Sequence, residues 1–130
     1  MLTPDFSRYS LALLEGELLI YEFSGGGLRP LWDALEKFQG KSGLILHDKV
    51  VGLAAARLIV YSGVIAEIVT GVASLPAEKF MENSGVALRA FHVAANILTR
   101  DQSVVCPGEV IALSTSDPKA FLQKIRAMME

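Results

Sequence analysis

Gly43-Leu44-Ile45-Leu46-His47-Asp48-Lys49-Val50-Val51-Gly52-Leu53-Ala54-Ala55-Ala56-Arg57-Leu58-Ile59-Val60-Tyr61-Ser62-Gly63-Val64-Ile65-Ala66-Glu67-Ile68-Val69-Thr70 is the stretch whose reading decides the fold. A short apolar run, Gly43–His47, precedes an Ala- and Leu-rich segment, Lys49–Ser62, which Gly63 closes. A β-branched run, Val64–Thr70, follows. Strand, helix and strand in that order predict a crossover unit joining two parallel strands, and Gly63 suits the left-handed residue that ends a helix. The most apolar part, Val50–Val69, is interrupted by Arg57 and Glu67. It therefore reads as a buried helix and a buried strand, not as a membrane span.

Upstream, Tyr9–Glu15 and Glu17–Phe23 are β-leaning runs around Glu15-Gly16 and predict a hairpin. A helix over residues 5–14 also fits Leu11, Leu13 and Leu14. Ser24-Gly25-Gly26-Gly27 breaks the pattern, and Pro30–Phe38 reads as a helix with Pro30 in its first turn. Downstream, Pro76–Asn83 reads as a helix capped by Ser74, and Val86–Val93 as a strand. Residues 96–109 fit no pattern, and Val110–Leu113 is expected as one more edge strand. Asp117 and Pro118 open a last helix that runs to Met129. The sum is a single α/β domain over residues 1–130, a mixed sheet with an N-terminal hairpin and helices on both faces.

Composition narrows the function classes. Of the 130 residues 52% are apolar and 20% charged, enough to fill a core. The formal net charge of −2, without a Lys/Arg run, argues against binding nucleic acid through phosphates. The one cysteine, Cys106, allows no internal disulfide, so a reducing cytoplasm is the expected setting. Met1-Leu2-Thr3-Pro4-Asp5 lacks the basic and apolar regions of a secretory signal, and no membrane partner is expected. The apolar content would suit a subunit interface as well as a core, so a homo-oligomer is open.

Two predicted helix starts go against the usual capping chemistry. A helix N-terminus carries partial positive charge and favours acidic or small polar residues. Gly27-Leu28-Arg29-Pro30 places Arg29 there, and Asp48-Lys49 places a cation directly after a normal cap, Asp48. Both helices follow strands and would start at the carboxyl edge of the sheet, where α/β proteins bind ligands. Arg29, Lys49 and the amides of Gly25–Gly27 would attract a small anion there. Gly52 and Ala54–Ala56 would let the helix lie close to the sheet. The alternative is that both cations point into water at little cost.

Three segments, Gly27-Leu28-Arg29-Pro30-Leu31, Asp48 to Ala56, and Arg100-Asp101 followed by Cys106-Pro107-Gly108-Glu109, resemble a prokaryotic family, domain of unknown function 1893. That resemblance covers nearly the whole chain and implies a cytidine-deaminase-like fold. It carries no agreed activity. The family tends to have Asn before the Arg, where this chain has Thr99, and Met after Cys-Pro, where this chain has Gly108. It implies that Cys106 lies near Asp48 and Lys49, so that these three are candidate catalytic residues. Gly27, Arg29, Gly52, Arg100 and Asp101 are then candidate ligand contacts.

Zinc deaminases need a His or Cys with a nearby Glu and then a Pro-Cys-x-x-Cys pair. The pair is absent here, and the spacing of His47, His92 and Cys106 does not suggest an alternative metal set, so no metal and no cofactor is expected. Cys106 could be a thiolate nucleophile beside Arg100 or Lys49, or a small buried hydrophobe. The sequence thus leads to a binding domain for a small anionic molecule, with enzymatic activity an open question; that the ligand is nucleotide-like is implied only by the resemblance to the cytidine-deaminase-like fold. The alternative is a non-catalytic regulatory or interaction module.

Overall fold

A computed structural model describes residues 2–95 and 107–130. The chain runs β1 (Leu11–Glu15), β2 (Leu18–Phe23), α1 (Arg29–Lys37), β3 (Leu44–Val51), α2 (Leu53–Ser62), β4 (Ile65–Ser74), α3 (Leu75–Met81), β5 (Ala87–Ala94), α4 (Pro107–Ser114) and α5 (Pro118–Met129). The hairpin reading holds, with Gly16 in the left-handed conformation at its turn. Ser74 caps α3 through the Ala77 N–H at 3.2 Å, and Asp117 caps α5 through the Ala120 N–H at 2.9 Å.

Five strands form one sheet in the order β2-β1-β3-β4-β5. β1 is antiparallel to β2 and to β3, whereas β3, β4 and β5 are parallel. β2, β3 and β4 therefore end at one edge, and α1, α2 and α3 all begin there. This is the edge at which open α/β sheets place ligands.

Three expectations are corrected. β3 continues through Asp48, Lys49, Val50 and Val51, and α2 begins only at Leu53, with Gly52 as its N-cap residue. Val50 and Val51 pair with Val72 and Ala73 of β4, and the Lys49 N–H bonds the Ser10 carbonyl at 2.9 Å. Ladder bonds and β-branched side chains hold that segment extended. Asp48 is therefore not a helix cap, and Lys49 is not at a helix N-terminus. Second, Val110–Leu113 is not a strand but part of α4, where Gly108, Glu109 and Ala112 are buried at helical spacing while Val110 and Leu113 face outward.

The third correction concerns the layers. Buried residues of all five helices, among them Leu31, Ala54, Met81, Ala112 and Phe121, join one core with Leu13, Leu46 and Ile68 of the sheet. α4 packs on α2, and α5 on α4, so they form an outer shell over the helix layer. The other face of β1 and β3 carries a small cluster, Tyr9, Ala12 and Leu14, closed by Phe6 and by no helix among the described residues. Helices on both faces, as expected from sequence, are not seen among the described residues. Crossovers β2-α1-β3, β3-α2-β4 and β4-α3-β5 all advance the same way along the sheet, and a constant hand puts their helices on one side.

Candidate functional site

The carboxyl edge of the sheet is organised by a serine that sequence reasoning missed. Ser10 accepts the Lys49 N–H on its carbonyl at 2.9 Å. Its hydroxyl donates to the Gly25 carbonyl at 2.8 Å and accepts the Gly25 N–H at 3.0 Å. One residue thus binds the glycine loop to the backbone of Lys49. Gly27, at φ 79°, turns the chain from that loop into α1 with a conformation that favours glycine. Lys49 is exposed, and no carboxylate lies within 4.0 Å of its ammonium among the described residues.

Arg29 is used differently. It opens α1, ion-pairs with Asp33 one turn on at 3.2 Å, and donates from Nη1 to the Met129 carbonyl at 2.7 Å. A guanidinium on the last carbonyls of α5 satisfies groups that a helix end leaves free. The structure thus brings Gly25–Gly27 and Lys49 together and turns the Arg29 guanidinium toward α5.

Asp48 sits opposite Leu11 and two residues beyond Leu46, both part of the larger core, so its side chain lies on the helix side of β3. Burial strips solvent from the carboxyl and pushes its pKa up to about 8, although the N–H groups of Lys49 and Val50 favour the ionised form. At neutral pH this acid mostly keeps its proton and can donate it.

The start of α2 is capped from far away in the chain. Glu109 of α4, 3% exposed, accepts the Leu53 N–H at 2.8 Å and the Ala54 N–H at 2.7 Å. An anion is thus seated on the positive end of α2, and it is the protein's own. Gly52 makes room for it, because a Cβ there would stand 2.6 Å from the Glu109 carboxylate. The reverse contact closes the pair. Arg57 of α2, also buried, donates to the carbonyls of Ala112 at 3.0 Å, of Ser116 at 3.2 Å and of Thr115, at the carboxyl end of α4. The Tyr61 hydroxyl accepts from its Nε at 3.0 Å, and its guanidinium lies 4.0 Å from the Phe121 ring centre. Each helix supplies the charge that the other's terminus needs.

On the back of the sheet His47 is fully buried. Its Nδ1 lies 2.9 Å from the Tyr9 hydroxyl, which also accepts the Asp5 N–H at 3.1 Å. The imidazole Nε2 has no hydrogen-bond partner among the described residues. Burial holds the pKa of His47 below the usual 6.5, with Glu67 pulling weakly the other way.

The starts of α2 and α3, Gly52-Leu53-Ala54 and Ser74-Leu75-Pro76, carry no imidazole or thiol, and the first is closed by Glu109. They do not fit a zinc centre of the deaminase type. Among the described residues no group of three or more His, Cys, Asp or Glu side chains is placed to hold a metal ion. No helix among them is long and apolar enough to cross a membrane. Arg100, Asp101 and Cys106 lie outside the described residues.

Residues 5–129 match the family model described as a domain of unknown function, DUF1893. A crystal structure of a DUF1893 family protein from Thermotoga maritima is similar over 95% of this chain and 82% of that one, with 26% identity and a TM-score of 0.84. No curated protein matches the chain. The chain belongs to the DUF1893 family, whose function is not assigned.

Proposed function

We propose that this chain is a binding domain for a small anionic molecule, held at the carboxyl edge of β2, β3 and β4. The observation that carries the reading is the double link through Ser10, which sets the glycine loop beside the backbone of an exposed Lys49 that has no carboxylate partner among the described residues. Lys49 supplies the charge and the amides of Gly26 and Gly27 supply close donors, whereas Gly52 drops out of the ligand set because the Glu109 carboxylate fills the space beside it. Asp48, protonated at pH 7, stands on the helix-side face of the same strand end, across the sheet from the Lys49 side chain. A carboxylic acid so protonated is the equipment of an acid catalyst, so the reading extends to a zinc-independent enzyme. Arg100, Asp101 and Cys106 join the proposal through the family motif. The strand order β2-β1-β3-β4-β5 with an antiparallel β1 supports the cytidine-deaminase-like placement and, by that analogy alone, a nucleotide-like ligand.

Thermal unfolding with inorganic phosphate and with nucleoside monophosphates, at constant ionic strength, tests this reading. Binding to the folded state raises the midpoint. The rise should disappear in Lys49→Ala, whose unliganded stability should stay within about 0.5 kcal/mol of the parent because the side chain is exposed. No rise with any of these anions, or an undiminished rise in Lys49→Ala, would exclude Lys49 as the contact. A second reading, an interaction module, is favoured by Phe91 and Val93, which stand exposed on the edge strand β5.

A further inference from the structure

At the opposite end of the helix layer a groove opens between the carboxyl halves of α1 and α2 and the middle of α5. We infer that it is a second ligand site, distinct from the sheet edge, and that it takes an aromatic carboxylate of one or two rings.

The floor is apolar, made by Leu35 and Leu58, both buried. Trp32 and Tyr61 give it aromatic walls. Tyr61 is held in place: its hydroxyl accepts from Arg57, and its ring meets Phe80 and Phe121 edge-on, both at 6.1 Å. A fixed ring beside an apolar floor is a ready stacking surface for a flat molecule. Arg126 closes the groove from α5, with its guanidinium 5.9 Å from the Trp32 ring centre. Among the described residues no carboxylate lies within 4.0 Å of that guanidinium, although Glu36 stands on the same rim. A cation over an aromatic wall, with no ion-pair partner among the described residues, complements a carboxylate attached to a ring. Glu36 repels that carboxylate and so fixes which end of the ligand meets Arg126.

Size selects within that class. The groove offers about 220 Å³, below the roughly 300–1,000 Å³ typical of sites for drug-sized ligands and cofactors. One ring or two would fill it.

Trp32 is the one tryptophan of the chain, so its fluorescence reads this groove. The probes are phenylacetate and its neutral counterpart phenylacetamide. Phenylacetate should give a saturable change, and phenylacetamide should bind about tenfold or more weakly, as expected for a lost charge-assisted contact. Arg126→Gln should remove that preference, Arg126→Lys should keep part of it, and Lys49→Ala should leave it unchanged. Arg126 is exposed, so these variants fold. Equal affinity for the two probes, an undiminished preference in Arg126→Gln, or no saturable change up to probe solubility would each overturn the assignment. Loss of phenylacetate binding in Lys49→Ala would do the same, because it would move the site to the sheet edge.

Discussion

β3 separates two interiors that solve the same problem in opposite ways. On its helix side the chain buries full charges, Arg57 and Glu109, and sets each against the end of the other's helix. On its back face it buries a neutral pair, Tyr9 and His47, and leaves the imidazole Nε2 without a partner among the described residues. Charges inside a protein persist only when their hydrogen bonds are met, and here helix termini meet them. A neutral imidazole tolerates an unmet ring nitrogen at a smaller cost, provided it never gains a proton. The clamp of Arg57 and Glu109 should therefore fail on mutation, and the back face should tolerate apolar replacement and fail in acid.

The largest effect is expected from Arg57→Ala, which strands three carbonyls at the end of α4 and should cost about 3–5 kcal/mol in urea unfolding. Glu109→Ala should cost a comparable amount by freeing two N–H groups of α2, about 1.5–3 kcal/mol for each bond. Because the two contacts clamp the same pair of helices, the double variant should lose less than the sum. Strict additivity would show that α2 and α4 are held independently.

Tyr9→Phe should cost about 1–3 kcal/mol, since it removes the partner of both Nδ1 and the Asp5 N–H. Pairing it with His47→Leu should recover part of that loss, because an apolar pair leaves fewer buried polar atoms. If the double variant is worse than Tyr9→Phe alone, the back face is not a merely neutral pair.

The pH profile carries two further effects, and their signs differ. As pH falls through 6.5 the unfolded chain protonates His47 before the folded one, so stability is lost on the acid side. Asp48 runs the other way. Between the ordinary 3.8 and about 8 the unfolded chain ionises while the folded one keeps its proton, so stability declines as pH rises across that window and levels off above it. Urea midpoints between about pH 5 and about pH 9 should lose their descending limb in Asp48→Asn and their acid-side loss in His47→Leu. A profile unchanged by Asp48→Asn would mean that this carboxyl is ionised in the folded protein.

Legibility in the sequence followed the range of the interactions. The hairpin, α3 and α5 were readable because Gly16, Ser74 and Asp117 act within a few residues of their own position. The β3–α2 boundary was misread because Asp48-Lys49 looks like a cap, whereas the carboxylate that caps α2 comes from residue 109. Arg57 read as a break in an apolar run, and its partners at Ala112, Thr115 and Ser116 appear only once α4 is placed. Val110–Leu113 is a short apolar run whose period cannot separate strand from helix. Ser10 and the Tyr9–His47 pair depend on the β1–β3 register, which no local pattern reveals.

The cap on α2 also imposes an order of events during synthesis. Glu109 leaves the ribosome 56 residues after the Leu53 it must reach. At roughly 5–20 residues per second that is a wait of about 3–11 s. During that time the nascent β3-α2-β4 unit carries bare N–H groups at its centre. The helix of the central crossover is thus completed by one of the later elements made.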